Sequence, residues 1–250
     1  MNNPLHLDLL QWFVSGICAF LIGLSKTSFN GVSTPVIPVM AELFGGKASS
    51  GILLPLLIFG DLIAVNNYSR HAEWPYILRL LPWASGGIII GVIVGNSVND
   101  SQFKMIIAII VLTGLGIMIW QERLGNGAPV PRQWWFSAVL GLAGGFSTMI
   151  GNAAGPVMGI YLLAMQLPKY AFIGTGAWFF MIINLTKVPF QVIFWKGITG
   201  ETLLYDLLMA PAVISGAFIG IRIIRIIPEK PFRYIVIALT AVSAARLLIG

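Results

Sequence analysis

Long apolar runs separated by short polar stretches dominate the chain. They fall at 9–25, 32–44, 48–66, 76–97 and 103–120, and then at 134–149, 153–166, 170–191, 202–224 and 231–249. Several of these runs approach the length of about 20 residues that a membrane-spanning helix needs. The two-residue alternation typical of barrel strands is missing. The pattern therefore predicts an all-α integral membrane protein.

The first five segments and the last five match each other in order. The matched positions are Pro38-Val39-Met40 with Pro156-Val157-Met158, Asp61-Leu62 with Asn184-Leu185, and Gly87 and Gly91 with Gly216 and Gly220. Segments 1 and 2 cross twice or form a re-entrant hairpin, and segments 3 to 5 cross three times. An odd number of crossings inverts the second half. We predict two inverted repeats, 1–120 and 134–250, joined by a polar linker at 121–133.

Composition supports a membrane protein and leaves no room for a soluble domain. The chain is 57% hydrophobic and 10% charged, whereas soluble domains carry roughly 25% charged residues. Its single cysteine excludes an intrachain disulfide. The net charge of +6 fits basic cytoplasmic loops, and no basic domain is present to bind nucleic acid.

Lysine and arginine are unevenly distributed between the two predicted sides. The richer side carries Arg70, Arg79, Arg123, Arg132, Lys169, Arg222, Arg225, Lys230 and Arg233. By the positive-inside rule this side is cytoplasmic. Both termini are then expected on the non-cytoplasmic side.

Two polar breaks interrupt the apolar pattern at equivalent places in the two halves. Gly23–Pro35 follows a short first segment, and Gly144–Pro156 follows a short sixth segment. Polar, irregular backbone within a membrane must be buried in protein or line a wet cavity. The breaks therefore predict two hairpins whose tips meet near mid-membrane, as in transporters with broken helices. An ordinary loop at the membrane surface is the alternative.

The breaks place helix N-termini, which attract anions, beside polar side chains. The predicted substrate-binding residues are Ser25, Lys26, Thr27, Ser28, Asn30, Gly31, Ser33, Thr34, Ser147, Thr148, Gly151 and Asn152. Lys26 would supply the charge that balances an anion. The hydroxyls and asparagines suit helix capping equally well, so both roles stay open.

Asp61 lies deep in an apolar segment, where an acid is costly and usually functional. It could pair with Lys26 or take up a proton, which makes it the candidate for proton coupling; a purely structural role is the alternative. Its counterpart Asn184 and the neighbouring Lys187 are secondary candidates, and Lys187 could reach inward or extend to the interface. Glu42 and Asp206 lie nearer segment ends, where we expect them to reach water.

The stretches from Gly23 to Arg79 and from Gly176 to Gln191 resemble the sulfite exporter TauE/SafE family of membrane proteins. The resemblance covers both halves, and the paired glycine-rich breaks are its most distinctive part. It implies transport of sulfur-containing anions, such as sulfite, organosulfonates or thiosulfate-like species, across a prokaryotic inner membrane.

The leading interpretation is a secondary transporter of a small anion, possessing no cofactor or metal site. The partners are then the anion and the lipid bilayer, and the sequence leaves the oligomeric state open. A nucleotide-binding loop is absent. A passive anion channel is one alternative. An intramembrane enzyme is another, since Gly145-Phe146-Ser147 suggests a nucleophile, but no histidine lies in an apolar segment to serve as its base.

Overall fold

A computed structural model describes residues 7–28, 32–33, 36–95, 97, 99, 102, 134–228, 231, 234–235 and 238. The helices within these ranges are α1 (Leu9–Thr27), α2 (Val36–Phe44), α3 (Gly46–Tyr68), α4 (Trp74–Val94), α5 (Trp134–Gly151), α6 (Gly155–Ala164), α7 (Lys169–Pro189) and α8 (Gly200–Ile226). The linker, the fifth segment and nearly all of the tenth lie outside the described residues. The described part of the chain contains no strand, which confirms the all-α prediction.

Among the described residues, six helices are long and apolar enough to cross a membrane: α1, α3, α4, α5, α7 and α8. The helices α2 and α6, with 9 and 10 residues, are much shorter. The helices establish an apolar, multi-helix protein of membrane-crossing dimensions.

The helices α1 and α5 are longer than the apolar runs of segments 1 and 6 predict. The first continues to Thr27, and the second to Gly151, so each includes part of its polar break. Residues with hydroxyl side chains remain in the helix here because their hydroxyls bond to carbonyls of the same helix. Thr27 donates to Gly23 O at 3.1 Å, and Ser147 donates to Ala143 O at 2.6 Å. Polar character alone therefore does not end these helices.

Helix α1 packs against α8, and α5 packs against α4. In both pairs a glycine brings the two backbones into direct contact. A Cβ atom at Gly23 would overlap the backbone oxygen of Val213, and a Cβ atom at Gly145 would overlap that of Ala84. Small residues permit such close helix approach in membrane proteins. Gly23 and Gly145 occupy equivalent places in the two sequence halves, so these two contacts are the equivalent pairs that a repeat predicts.

The third helix of each half, α3 and α7, lie side by side at the centre and run antiparallel. At one end the rings of Tyr68 and Tyr170 lie 6.3 Å apart. At the other end Gly51 contacts the backbone of Gly197, just beyond α7. The predicted inverted repeat requires its equivalent helices to run in opposite directions, and the repeat itself stays a prediction. Their orientation relative to a membrane remains a prediction.

The outer faces of the helices keep large apolar side chains exposed. Ile93, Leu207 and Phe218 are 67%, 66% and 54% exposed. Such surface is unfavourable in water and suited to lipid.

Candidate functional site

The centre of the α3–α7 contact is polar. Asp61 on α3 is fully buried and accepts a hydrogen bond from Asn184 Nδ2 on α7 at 2.7 Å. Asn184 is the sequence counterpart of Asp61, so the two matched residues meet each other across the centre of the molecule. Phe180, Asn184 and Lys187 follow a spacing of four and three residues, which places them on one face of α7.

Lys26 near the end of α1 pairs with the same carboxylate. Its Nζ atom lies 2.7 Å from Asp61 Oδ1, with side-chain exposures of 9% and 0%. The ammonium group also lies 4.3 Å from the centre of the Phe180 ring, a favourable cation–π distance. Asp61 therefore connects three helices, α1, α3 and α7, through one charged and one neutral donor.

Lys187 reaches inward from α7 and is fully buried. Its Nζ atom donates to Thr148 Oγ1 at 3.0 Å, to Asn184 Oδ1 at 3.2 Å and to Asn152 Oδ1. Three acceptors match the three N–H bonds of an ammonium group. Within the described residues no carboxylate forms an ion pair with Lys187.

Lys26, Asp61, Asn184 and Lys187 form a continuous chain of contacts, which we call the lysine–aspartate cluster. With both amines protonated, two lysines and one carboxylate leave one positive charge in excess. Buried charge is costly unless it is paired, so the cluster as a whole is poised to accept a further negative charge.

A small cavity adjoins this cluster and lies between the two breaks. It is lined by Ser25, Lys26, Ser33, Leu57, Thr148, Asn152, Gly155, Phe180 and Asn184. The first break contributes Ser25, Lys26 and Ser33, while the second contributes Thr148 and Asn152. The two breaks therefore meet, as predicted, and their depth in a membrane remains a prediction.

The N-terminus of α6 opens onto the cavity at Gly155. The first turn of a helix carries N–H groups without partners in the helix and the positive end of its dipole. Ser33, just before α2, donates its hydroxyl proton to Ser25 Oγ at 3.0 Å. The cavity thus combines a lysine, hydroxyl groups and a helix N-terminus, all of which favour an anion.

Asn152 follows the last residue of α5 in a left-handed conformation, with φ of 56°. Asparagine adopts this conformation more readily than most residues and often ends helices in this way. Its amide nitrogen Nδ2 donates to Ser50 O at 3.1 Å, while its amide oxygen accepts from Lys187. One residue therefore ends α5 and fixes the lysine.

Several predicted binding residues do not line the cavity. Thr27 donates to Ala217 O at 2.9 Å, Ser28 donates to Leu24 O, and Ser147 donates to Ala143 O. The first bond joins α1 to α8, and the other two lie within a single helix, so for these three hydroxyls the structure favours the structural role over ligand contact. Gly151, the last residue of α5, is also absent from the lining. Asn30, Gly31 and Thr34 lie outside the described residues.

Leu57, Phe180 and Gly155 line the cavity but are not among the residues that the sequence predicts. Helical spacing could have identified two of them from the sequence. Leu57 lies one turn before Asp61, and Phe180 lies one turn before Asn184, so each shares a helix face with a predicted residue.

Asp206 differs from its sequence prediction. It is 6% exposed, because its helix α8 begins at Gly200 and places it in the second turn, where α8 is packed on other helices. It therefore does not reach water. Glu42, the other acid expected near water, has no described side chain.

Within the described residues, no three side chains of histidine, cysteine, aspartate or glutamate come together as metal ligands would. The cluster chemistry is instead that of ammonium, amide and hydroxyl donors around a single carboxylate.

Two curated relatives are each 21% identical to this chain over 248 aligned positions. They are called "Probable membrane transporter protein MamO" in Paramagnetospirillum magneticum and in Magnetospirillum gryphiswaldense. The alignments cover 78% of this chain and 37% of each relative, so the chain spans well under half of the relatives' length. No solved structure matches the chain.

The model of the family described as "Sulfite exporter TauE/SafE" matches residues 15–247. The match extends over both breaks, both central helices and the whole lysine–aspartate cluster. Together with the apolar helices, it identifies a multi-pass membrane protein. The chain belongs to the sulfite exporter TauE/SafE family.

Proposed function

We propose that this chain is a secondary transporter that carries a small anion, sulfur-containing by preference, through the cavity between the two breaks. The observation that carries the proposal is the lysine–aspartate cluster itself, in which two lysines accompany one carboxylate and which lies against a cavity lined by residues of both breaks. Family membership and the transporter names of two relatives support it.

The cavity suits a compact oxyanion. Ser25, Ser33 and Thr148 offer hydroxyl groups, and Lys26 offers an ammonium group. Sulfite, thiosulfate and sulfonates each present several acceptor oxygens on one sulfur. Leu57 and Phe180 form an apolar wall that would face a sulfur atom or a short carbon chain.

Proton coupling through Asp61 follows from the same geometry. A bound anion attracts Lys26 and weakens its pairing with Asp61, which then binds a proton more readily. The anion and the proton would move together. We place the protein in a prokaryotic inner membrane, with both termini on the non-cytoplasmic side, on the basis of the positive-inside rule.

The first test compares anion binding by the purified parent chain with binding by a variant in which Lys187 is replaced. Thermal shifts with sulfite, sulfate, thiosulfate, taurine, sulfoacetate and carboxylates identify the anion that binds. Lys187→Met removes the excess positive charge, so we expect affinity to fall by roughly tenfold or more, since hydrogen bonds to charged groups contribute ~1.5–3 kcal/mol.

The matched control is Lys196→Met, which removes an exposed lysine just beyond the same helix. Its affinity should equal that of the parent. Equal affinities in Lys187→Met and the parent would contradict an anion site supported by this cluster.

Transport assays separate the proposal from its alternatives. A secondary transporter in proteoliposomes accumulates the labelled anion when a proton gradient is imposed, whereas a passive channel only equilibrates it. An enzyme would change the anion chemically, which mass spectrometry of the recovered anion detects.

A further inference from the structure

Asp206 on α8 is a buried carboxyl group that the proposed anion site does not use. Its side chain is 6% exposed, and both carboxyl oxygens are shielded from solvent. Among the residues that the structure describes, neither oxygen has a hydrogen-bond partner. Asp61, in contrast, has Lys26 and Asn184 as partners.

The helices packed most closely against α8 are α1 and α3, while Phe44 of α2 contacts the ring of Tyr205 and Lys169 of α7 bonds to Ile224 O at the far end. The titratable groups of α1 and α3, and those of α8 near Asp206, are Cys18, Lys26, Lys47, Asp61, Tyr68, Glu201 and Tyr205. None of them forms a hydrogen bond or ion pair with Asp206. Lys26 and Asp61 pair with each other, while Lys47 lies over the Trp195 ring. The thiol of Cys18 and the phenol of Tyr205 are uncharged at neutral pH.

A charged carboxylate without a partner is strongly disfavoured in such surroundings, because nothing replaces the water that it loses. The N-terminal dipole of α8 acts mainly within the first turn, and Asp206 lies in the second turn. Protonation removes the charge, and a neutral acid needs far less compensation than a carboxylate.

We propose that Asp206 is a proton-binding site separate from the anion cavity and that it holds a proton in this conformation. The ligand is a proton rather than a metal ion, since the described residues offer no set of charged side chains around it. Asp61 and Asp206 then differ in protonation state: Asp61 is a carboxylate paired with a lysine, and Asp206 is a neutral carboxylic acid.

Release of this proton requires water to reach Asp206, so α8 must separate from the helices that cover it. Helix α8 is bound tightly to α1 by the Gly23–Val213 contact and by the hydrogen bond from Thr27 to Ala217 O at 2.9 Å. Helix α1 also carries Lys26. A movement of the α1–α8 pair would therefore change proton access at Asp206 and the position of Lys26 together.

Infrared spectroscopy of the full chain in lipid at neutral pH tests the proposal without reference to any anion. A protonated carboxylic acid has a C=O stretching band that is distinct from the bands of a carboxylate. We expect this band in the parent and in Glu201→Gln, which changes an exposed acid of the same helix. It should also remain in Asp61→Asn and be lost in Asp206→Asn.

Two results would overturn the proposal: no such band in the parent, or an unchanged band in Asp206→Asn. Asn replaces a neutral acid with a neutral amide of the same shape, so Asp206→Asn should keep the melting temperature of the parent. Asp206→Leu gives a second variant that lacks the acid. If neither variant folds, a band that persists in both Asp61→Asn and Glu201→Gln supports the proposal, and the absence of the band from the parent overturns it.

Discussion

Two lysines and one carboxylate lie at the centre of the described part of the chain, and this imbalance is the chemical basis of the proposed site. Lys26 is balanced by Asp61 at 2.7 Å. Lys187 is instead surrounded by neutral oxygens of Thr148, Asn152 and Asn184. An anion entering the cavity would complete the charge balance, and its departure would leave the cluster with an excess positive charge again.

A double substitution tests the pairing of Lys26 with Asp61. Lys26→Met alone leaves a buried carboxylate without its cation. We therefore expect the free energy of unfolding to fall by about 3–5 kcal/mol and anion binding to be lost. Lys26→Met combined with Asp61→Asn removes both charges and leaves Lys187 in excess. Stability should then recover, together with part of the anion affinity, as measured by thermal unfolding and thiosulfate titration. A double variant no more stable than Lys26→Met would contradict the pairing.

Replacement of Asp61 by a group that cannot titrate tests proton coupling. Asp61→Asn should retain anion exchange across a membrane without a gradient, because the positive charge of the cluster increases. It should lose accumulation driven by an imposed pH gradient, because no proton can bind at this position. Transport of labelled thiosulfate into proteoliposomes measures both. Accumulation at the parent's level in Asp61→Asn would mean that Asp61 has a structural role only.

At the scale of helices, backbone contact at glycine fixes how α1 meets α8 and how α5 meets α4. The close approach at Gly23 and at Gly145 leaves no space for a Cβ atom. Lys26 follows Gly23 by one turn, and Thr148 follows Gly145 by one turn, so these contacts position the residues that face the cavity.

Alanine substitutions test this packing with a control in the same helix. A methyl group at Gly23 would overlap the backbone oxygen of Val213, whereas a Cβ atom at Gly16 has no neighbour within 4 Å. Gly23→Ala should therefore lower the melting temperature, and Gly16→Ala should leave it unchanged or raise it slightly, because alanine is favoured over glycine in helices by roughly 0.5–1 kcal/mol.

Gly145→Ala extends the test to the second half. We expect a loss of stability similar to that of Gly23→Ala, since its methyl group would overlap the backbone oxygen of Ala84. A neutral effect of either substitution would show that the helix pairs separate easily at these glycines.

At the scale of the whole molecule, the antiparallel course of α3 and α7 bears on membrane orientation. The loop after α3 contains His71, and the loop after α7 contains Lys196. An inverted repeat places these two equivalent loops on opposite sides of the membrane, with His71 in the cytoplasm by the positive-inside rule.

Single-cysteine labelling tests this orientation. In a Cys18→Ala background, which lacks cysteine, His71→Cys and Lys196→Cys should react with an impermeant maleimide from opposite sides. Only Lys196→Cys should react from outside intact cells. Labelling of both positions from the same side would exclude the inverted arrangement.

The helical class, the two breaks and the candidate lysines could be predicted from the sequence because each depends on local pattern. Apolar length predicts helices, and a polar stretch between apolar segments predicts a break. The roles of individual hydroxyls could not be predicted in this way. Thr27 and Thr148 look alike in sequence, yet one bonds to a backbone carbonyl of α8 and the other accepts from Lys187. The difference depends on which helix lies opposite.

The sequence by itself determined that the chain is a helical membrane protein and predicted its two matched halves. Both follow from the linear sequence, because the length of each apolar run and the order of the matched residues are local features of the chain. Only the tertiary structure decided which charges meet. Lys26 and Asp61 are far apart along the chain, as are Asn152 and Lys187, and each pair meets only because separate helices pack together. Burial likewise left Asp206 without a partner among the described residues, because the environment of a side chain is set by the neighbouring helices and not by its distance from a segment end.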